Sequence, residues 1–124
     1  MIQKKIILDS DTKIDVVEIG KITHITVDSV RVEIHLLNEG IVYSNETLSS
    51  FETSLPLDMF CRINRNTIVN IFYITNVNKS TRKLTIEGNT ILCVSARQLK
   101  NLTKRLKPNL IRSSRNFIRS SKNS

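Results

Sequence analysis

The segment Phe60-Cys61-Arg62-Ile63-Asn64-Arg65-Asn66-Thr67-Ile68-Val69-Asn70 is the part of the chain that says most about its fold. Apolar residues dominate both of its ends, and a polar connector separates them. Isoleucine, valine and threonine lose rotamer freedom in helices but pack well on a pleated sheet. The segment therefore predicts two β-strands, one over residues 60–64 and one starting at residue 68, joined by a short polar connection.

The polar connector concentrates groups that can recognise a nucleic acid. An arginine fork can bond O6 and N7 of guanine, and an asparagine amide can pair with the edge of adenine. The competing interpretation is a β-turn in which the asparagine side chains satisfy their own backbone. For Arg65 and Asn66 both interpretations stay open, whereas for Asn70 the structural one is favoured.

The whole chain shares this β-rich composition. Its 124 residues include 17 Ile, 9 Val and 11 Thr but a single alanine. The length suffices for one domain with its own hydrophobic core, so folding requires neither disulfides nor a structural metal. The composition thus predicts a mainly β domain with two short helices.

Alternating apolar and polar residues mark further strands on both sides of the central segment. The clearest alternation runs from Val30 to Leu36, and turn residues follow it, so residues 30–44 predict a hairpin. A type II′ turn at Gly88-Asn89 is expected to join two later strands. The remaining predicted strands are 5–9, two short ones within 14–27, 68–77, 82–87 and 90–94.

A first short helix is predicted near residues 45–55, where the apolar residues recur at i, i+3 and i+7. That spacing places them on one side of the helix, against the core. Ser44 or Asn45 is the expected N-terminal cap, and Pro56 is expected to end the helix. The apolar residues are Leu48, Phe51 and Leu55.

A second helix is predicted near residues 96–107. Ser95 followed three residues later by Gln98 matches the capping box at a helix N-terminus. Pro108 is expected to end the helix, because the residue before a proline avoids helical geometry. The expected buried stripe consists of Leu99, Leu102 and Leu106.

Basic residues are concentrated at the C-terminal end of the chain. Residues 1–96 carry a net charge of −1, whereas residues 97–124 contain nine Lys and Arg and no acidic residue. This distribution indicates a polyanionic partner such as DNA, RNA or an acidic membrane surface, although a solvated tail has the same composition. We expect a domain over residues 1–107 and a basic, flexible tail over residues 108–124, in which Ile-Arg-Ser-Ser occurs twice.

No group of residues predicts catalysis, a cofactor or a metal site. His24 and His35 belong to no metal-ligand or hydrolase motif, and the chain has no glycine-rich phosphate loop. Cys61 and Cys93 lack the spacing of a zinc site and are expected to be small core or subsurface residues. The chain contains neither an apolar run of membrane-spanning length nor a signal-peptide core. We therefore expect a soluble cytoplasmic protein that is not an enzyme and has no cofactor.

The 60–70 segment resembles the signature of the LytTR family of bacterial DNA-binding domains. That signature runs Phe-x-Arg-Ile/Val-His-Arg-Ser-x-Ile/Leu-Val-Asn, and the resemblance extends in order over residues of about 14–106. Asn64 and Asn66 depart from it, since they stand at the positions of the family's histidine and serine. Many relatives also carry an N-terminal phosphoacceptor receiver domain, for which we expect no room here, so that the chain is either a stand-alone regulator or a fragment of a larger protein.

The resemblance implies a fold of about ten mostly antiparallel strands in small stacked sheets. Family members present loops to DNA: two loops enter successive major grooves, and the surface between them follows the minor groove. By position, the base-reading contacts fall on Arg65, on Arg97 and on the loop 28–31, where Val30 can contact a thymine methyl group. The positions suited to phosphate contact are Arg31, Asn66, Ser95, Gln98, Lys100 and Lys104.

The implied partner is double-stranded DNA with paired direct repeats, which two copies of the protein occupy together, and no small-molecule substrate. Independently of the resemblance, a helix starting at Ser95 directs free backbone N–H groups towards the region of Arg97, where they can hold a phosphate. Two other functions remain open. The basic C-terminus would serve a small RNA-binding protein equally well, and a β-rich protein-interaction module could dock its tail on an acidic partner.

Overall fold

A computed structural model describes residues 5–109, which form ten strands and two α-helices. The mainly β architecture predicted from the sequence is confirmed. The segment from residue 110 onward, which includes both Ile-Arg-Ser-Ser copies of the predicted flexible tail, lies outside the described residues. The elements are β1 (Lys5–Asp9), β2 (Ile14–Glu18), β3 (Ile22–Asp28), β4 (Arg31–Leu36), β5 (Gly40–Ser44), α1 (Leu48–Ser54), β6 (Phe60–Asn64), β7 (Thr67–Asn70), β8 (Ile74–Asn78), β9 (Lys83–Ile86), β10 (Thr90–Cys93) and α2 (Ala96–Leu106).

The ten described strands form three antiparallel sheets. A two-stranded hairpin sheet contains β1 and β2, and a five-stranded central sheet has the order β5-β4-β3-β7-β6. A third sheet has the order β10-β9-β8. Hairpins therefore supply most of the pairing, and β7 is the strand that joins the β3–β4–β5 meander to β6.

Two hydrophobic cores lie on opposite faces of the central sheet. Side chains alternate across a strand, so neighbouring residues of β6 enter different cores. Phe60 belongs to the first core, with the hairpin sheet and α1, and Cys61 belongs to the second, with the third sheet and α2. Ile25 and Ile34 belong to the first core and Ile63 to the second, and all three side chains are fully buried. The central sheet is thus a rigid layer between two packed layers.

The N-cap of helix α1 lies two or three residues later than the sequence predicts. The hydroxyl of Thr47, not that of Ser44 or the amide of Asn45, accepts the capping hydrogen bond, which comes from the Ser50 amide at 3.0 Å. Ser44 instead accepts from the Glu46 amide at 3.0 Å, which forms a separate turn before the helix. The predicted buried residues of α1 are confirmed: Leu48, Phe51 and Leu55 are at most 5% exposed.

The predicted strand 68–77 is interrupted by a 3₁₀ turn over Ile71–Tyr73. Asn70 causes the interruption, since its carboxamide oxygen accepts from the Phe72 amide at 3.0 Å. Its amide nitrogen donates to the Ile22 carbonyl at 2.8 Å, and the whole residue is inaccessible to solvent. The structural interpretation of Asn70 is thereby confirmed. At this point the chain leaves the central sheet and enters the third sheet.

The hairpin between β9 and β10 has a three-residue connection, not the predicted two-residue type II′ turn. Ile86 pairs with Thr90, and both Gly88 and Asn89 have positive φ, +89° and +63°. A type II′ turn requires positive φ only at its first central residue. The asparagine tolerates the left-handed conformation, which closes the longer connection.

Helix α2 begins as predicted, with the Ser95 hydroxyl accepting from the Gln98 amide at 3.2 Å. Leu102 is fully buried in the second core, and Leu99 and Leu106 pack against that core from the same side of the helix. Pro108 does not stop the chain's helical path: Lys107, with φ −55° and ψ −40°, is helical, and a 3₁₀ turn follows over Lys107–Asn109. The expected avoidance of helical geometry before this proline is therefore wrong here.

Candidate nucleic-acid interface

Two tight turns lie at the same end of the central sheet. The β3–β4 turn contains Ser29 and Val30, and the β6–β7 turn contains Arg65 and Asn66. Because β3 and β7 are antiparallel neighbours, the end of β3 meets the start of β7. The Val27 amide donates to the Asn66 carbonyl at 3.0 Å, so the two turns are joined directly through their backbones.

The first turn of α2 extends this arrangement to a third segment. The Ser95 amide donates to the Ile63 carbonyl at 2.9 Å, which fixes the start of α2 beside the end of β6. The β3–β4 turn, the β6–β7 turn and the first turn of α2 therefore follow one another in a row. We call this row of three segments the candidate interface; the β6–β7 turn lies in its middle.

Asn64 connects the middle of the row to the third sheet. Its carboxamide oxygen accepts from the Asn66 amide at 2.7 Å, and its amide nitrogen donates to the Cys93 carbonyl at 2.7 Å. Asn64 thus bonds neighbouring backbone, as an asparagine at a turn commonly does. The side chain stiffens the β6–β7 turn and ties it to the strand that leads into α2.

Arg62 holds the same turn from the other side. Its Nε donates to the Asn64 carbonyl at 2.9 Å and one terminal nitrogen donates to the Arg65 carbonyl at 2.5 Å. The other terminal nitrogen lies 2.7 Å from a carboxylate oxygen of Glu52 in α1. Three of the five guanidinium N–H donors are therefore used within the protein.

Arg65 and Arg97 present their side chains to solvent. Both residues are exposed, and neither forms an ion pair with any acidic residue among residues 5–109. A guanidinium without an internal partner keeps its fork of donors available for a ligand. The row thus brings two free arginines together, one on the middle turn and one on α2.

The N-terminus of α2 adds backbone donors beside Arg97. The first amides of a helix have no intrahelical partner, and the helix dipole makes this end electropositive. Ser95 and Gln98 are half-buried, so the capping hydrogen bond between them lies below the surface at this end of the helix. The arrangement can bind an anion through the backbone while the Arg97 side chain reaches further outward.

The basic residues of α2 divide into two groups. Lys100 and Lys104 are exposed, and their spacing from Arg97 places all three along one side of the helix. Arg105 has a different environment: one terminal nitrogen donates to the Phe60 carbonyl at 2.9 Å and also to the Leu57 carbonyl. Only the first group is available for a partner, and Arg105 ties α2 to the loop before β6.

The β3–β4 turn supplies the other end of the row. Val30 is 84% exposed, the most exposed of the large apolar side chains of the described chain. The Asp28 carboxylate accepts from the Ser29 amide at 2.8 Å and stabilises the turn behind it. The Arg31 guanidinium lies 3.8 Å above the centre of the Tyr43 ring, a cation–π contact that holds it on the outer surface of the sheet. An apolar tip and a cation are therefore adjacent here.

The two histidines lie on the central sheet and form a pair. The rings of His24 and His35 stack with their centres 4.1 Å apart. Burial, and next the neighbouring His35, lower the pKa of His24 to about 4, and burial also lowers the pKa of His35. Both rings are therefore neutral near pH 7, which fits a role in packing on the sheet.

The cysteines and the metal-ligating residues add no chemistry to the interface. Cys61 is buried, and this burial raises the pKa of its thiol, so the neighbouring Arg62 does not activate it. Cys93 is exposed, contrary to the expectation of a core or subsurface residue. Within residues 5–109 no three His, Cys, Asp or Glu side chains group as metal ligands. No helix in that range has the length and apolarity needed to cross a bilayer.

Sequence reasoning singled out the residues of the row but missed those that support it. The contact residues predicted from the sequence include neither Arg62 nor Glu52. No local signal identifies this ion pair, because its partners lie on separate elements, α1 and β6. The position of Arg62 between Cys61 and Ile63, which enter the second core, indicates only that its side chain lies on the opposite face of the sheet.

Comparisons with known proteins agree with this geometry. Residues 12–107 match the family model of the LytTR DNA-binding domain. A solved structure with the same fold is the LytTR DNA-binding domain of a Bacillus cereus protein named as a methyl-accepting/DNA response regulator. The TM-score is 0.73 at 21% sequence identity, over 84% of this chain and 97% of that one. None of the curated proteins compared with the chain matches it significantly.

The match to the family model spans all elements from β2 to α2 and includes the whole candidate interface. It also contains the 60–70 segment on which the resemblance in the sequence rests. The chain belongs to the LytTR DNA-binding domain family.

Proposed function

We propose that the protein is a sequence-specific transcriptional regulator that binds double-stranded DNA in the cytoplasm through its three-segment row. The observation that carries this proposal is the pair of unpartnered guanidinium groups, Arg65 and Arg97, on rigid segments at one end of the central sheet. The function needs neither catalysis nor a cofactor, since recognition relies on hydrogen bonds and charge.

The order of the segments suggests how the row meets a duplex. The two outer segments, the β3–β4 turn and the first turn of α2, are the most widely separated and suit successive major grooves. Arg97 would bond guanine there, and Val30 would contact a thymine methyl group. Arg65, on the middle turn, would then enter the intervening minor groove, where arginine responds to A·T content and groove width. The two arginines occupy neighbouring grooves in this arrangement.

Phosphate contacts would fix the register without reading sequence. Ser95 and Gln98 fix the first turn of α2, and the amides between them, those of Ala96 and Arg97, would bind one phosphate, because anions bind favourably at helix N-termini. Further cations and donors flank the row and would follow the DNA backbone on either side. They are Arg31, Asn66, Lys100 and Lys104.

The proposed assembly consists of two copies on paired direct repeats of DNA, without a small-molecule substrate. Direct repeats bind the two copies in the same orientation, so each copy uses its own complete row. Residues 1–107 would act as the DNA-binding domain, and the basic residues 108–124 would add charge attracted to the same polyanion.

Competition binding tests this function against the two alternatives. The full chain is titrated at moderate salt with duplex DNA, structured RNA and single strands of matched length. We expect duplex DNA to compete best, and a selected duplex to compete far better than a scrambled one. A preference for RNA would instead favour the RNA-binding alternative, and no affinity for any nucleic acid would favour the protein-interaction module.

A further inference from the structure

We propose that Arg62 is a positioning residue for DNA recognition: held by Glu52, it fixes the β6–β7 turn so that Arg65 points outward in one conformation. This inference rests on the proposed function. Arg62 is itself one of the two arginines of the central segment, and composition alone gives it the same capacity for base contact as Arg65. The geometry around its guanidinium separates the two residues.

The guanidinium of Arg62 uses all three of its nitrogens inside the protein. Two of them donate to consecutive turn carbonyls, those of Asn64 and Arg65, at 2.9 and 2.5 Å. The third contacts Glu52 at 2.7 Å. Its side chain is only 19% exposed. Three of the five N–H donors are thus committed within the protein, and the group is not presented to a base or a phosphate as the exposed fork of Arg65 is.

Two bonds from one rigid plane restrict the peptide groups that flank Arg65. The carbonyl of Asn64 precedes Arg65, and the second bonded carbonyl belongs to Arg65 itself, so both of its adjoining peptide units are held. A two-residue turn would otherwise sample several backbone conformations and lose this freedom on binding DNA. Ordering the turn beforehand removes that cost from the binding step.

Glu52 keeps Arg62 in this position. It lies on α1, which packs on the first core, whereas the turn belongs to the central sheet. The carboxylate supplies the charged partner that keeps the guanidinium from swinging towards an approaching phosphate. The pair therefore connects the packing of α1 to the geometry of the middle turn.

The opposite interpretation, in which Arg62 contacts phosphate, predicts different effects for one informative substitution. Glu52→Gln removes a negative charge near the candidate interface. If Arg62 contacted phosphate, this change would release it and tighten binding to every duplex. If Arg62 positions the turn, the same change weakens binding to the selected duplex although the protein becomes more positive.

The test compares Arg62→Gln and Glu52→Gln in the full chain with Lys21→Gln and Glu39→Gln. The control pair forms an exposed ion pair of 2.9 Å at the other end of the central sheet and involves the same changes of charge. Affinity is measured on a duplex selected with the unmodified protein and on a scrambled duplex, each at several salt concentrations. Urea unfolding confirms that every variant is folded under the binding conditions.

We expect Arg62→Gln to lose about tenfold in affinity for the selected duplex and little for the scrambled one, with an unchanged salt slope. Glu52→Gln should also lower the ratio of the affinity for the selected duplex to the affinity for the scrambled one. The two control substitutions should leave this ratio unchanged. A salt slope reduced by about one with equal loss on both duplexes would identify Arg62 as a phosphate contact and overturn the proposal. Tighter binding of both duplexes by the Glu52→Gln variant would also overturn the proposal.

Backbone NMR relaxation without DNA tests the inference separately from the proposed function. We expect order parameters of about 0.85 for the amides of Arg65 and Asn66, falling below about 0.6 in Arg62→Gln. A turn that stays equally rigid in this variant contradicts the positioning role. Failure of the unmodified protein to bind duplex DNA would instead refute the proposed function, whatever the relaxation data show.

Discussion

The backbone amide of Ser95 lies 2.9 Å from the carbonyl oxygen of Ile63 and donates a hydrogen bond to it. This bond joins the start of α2 to the end of β6, although Ile63 and Ser95 are 32 residues apart in sequence. It places the segment carrying Arg97 beside the turn carrying Arg65. The candidate interface is thus assembled by tertiary contacts between connections that lie at one end of the central sheet.

Replacement of Ser95 by alanine should destabilise both α2 and the interface. The Ser95 hydroxyl accepts from the Gln98 amide, and loss of an N-cap costs about 0.5–2 kcal/mol of stability. Urea unfolding followed by circular dichroism measures this free energy. Ser95→Asn is the control, since asparagine caps helices as well as serine does. Equal stability of the alanine variant and the unmodified protein would show that the cap contributes nothing.

Lys100→Gln should weaken binding to all duplexes alike. The side chain is exposed on α2 on the same side as Arg97, a position suited to phosphate contact. Loss of one phosphate contact reduces the slope of log K against log salt by about 0.9. Titrations of the selected and scrambled duplexes at four salt concentrations measure this slope. A loss confined to the selected duplex would mean that Lys100 reads a base.

Stability should fall as the pH is lowered from about 6.5 to about 4. Burial keeps His24 neutral in the fold, with a pKa of about 4, whereas an unfolded histidine titrates near 6.5. Between these values the unfolded chain binds more protons, so the contribution is complete above pH 6.5 and is lost towards pH 4, by about 2–3 kcal/mol. The lowered pKa of His35 acts in the same direction. Urea unfolding from pH 4 to 7.5 measures the effect, and His24→Gln should flatten the profile.

Asn70→Ala should be strongly destabilising. The change leaves the Ile22 carbonyl without its partner at a site that solvent does not reach, and it also removes the bond to the Phe72 amide. A buried polar group left without a partner costs about 1–3 kcal/mol, which is the loss expected here. Asn76→Ala, at an exposed position of β8, is the matched control and should change stability by less than about 0.5 kcal/mol. Similar losses in both variants would contradict the structural role of Asn70.

Local signals in the sequence predicted the elements whose causes are local. The alternation from Val30 to Leu36 predicts β4, and Ser95 with Gln98 predicts the start of α2. Both predictions succeed because strand alternation and helix capping are determined by residues close together in sequence. The 60–70 segment predicts β6 and its turn, and periodicity and turn residues predict the other strands and helix α1. These features require no knowledge of distant contacts.

Features that depend on distant residues were not predictable from the sequence. The Asn70 amide bonds Ile22, 48 residues away, so the break after β7 has no local signature. The Arg62–Glu52 ion pair and the stacking of His24 on His35 likewise depend on how elements pack. The three-residue connection at Gly88 differs from the predicted turn because the register of β9 and β10 sets its length.

The central claim is that Arg65 and Arg97 contact bases in neighbouring grooves of one duplex. Methylation interference with dimethyl sulfate tests it directly, since this reagent modifies guanine N7 in the major groove and adenine N3 in the minor groove. On the selected duplex we expect guanine N7 signals that disappear in Arg97→Ala and adenine N3 signals, about half a helical turn or 5 bp away, that disappear in Arg65→Ala. Loss of the same signals in both variants, or of none in either, would contradict the account.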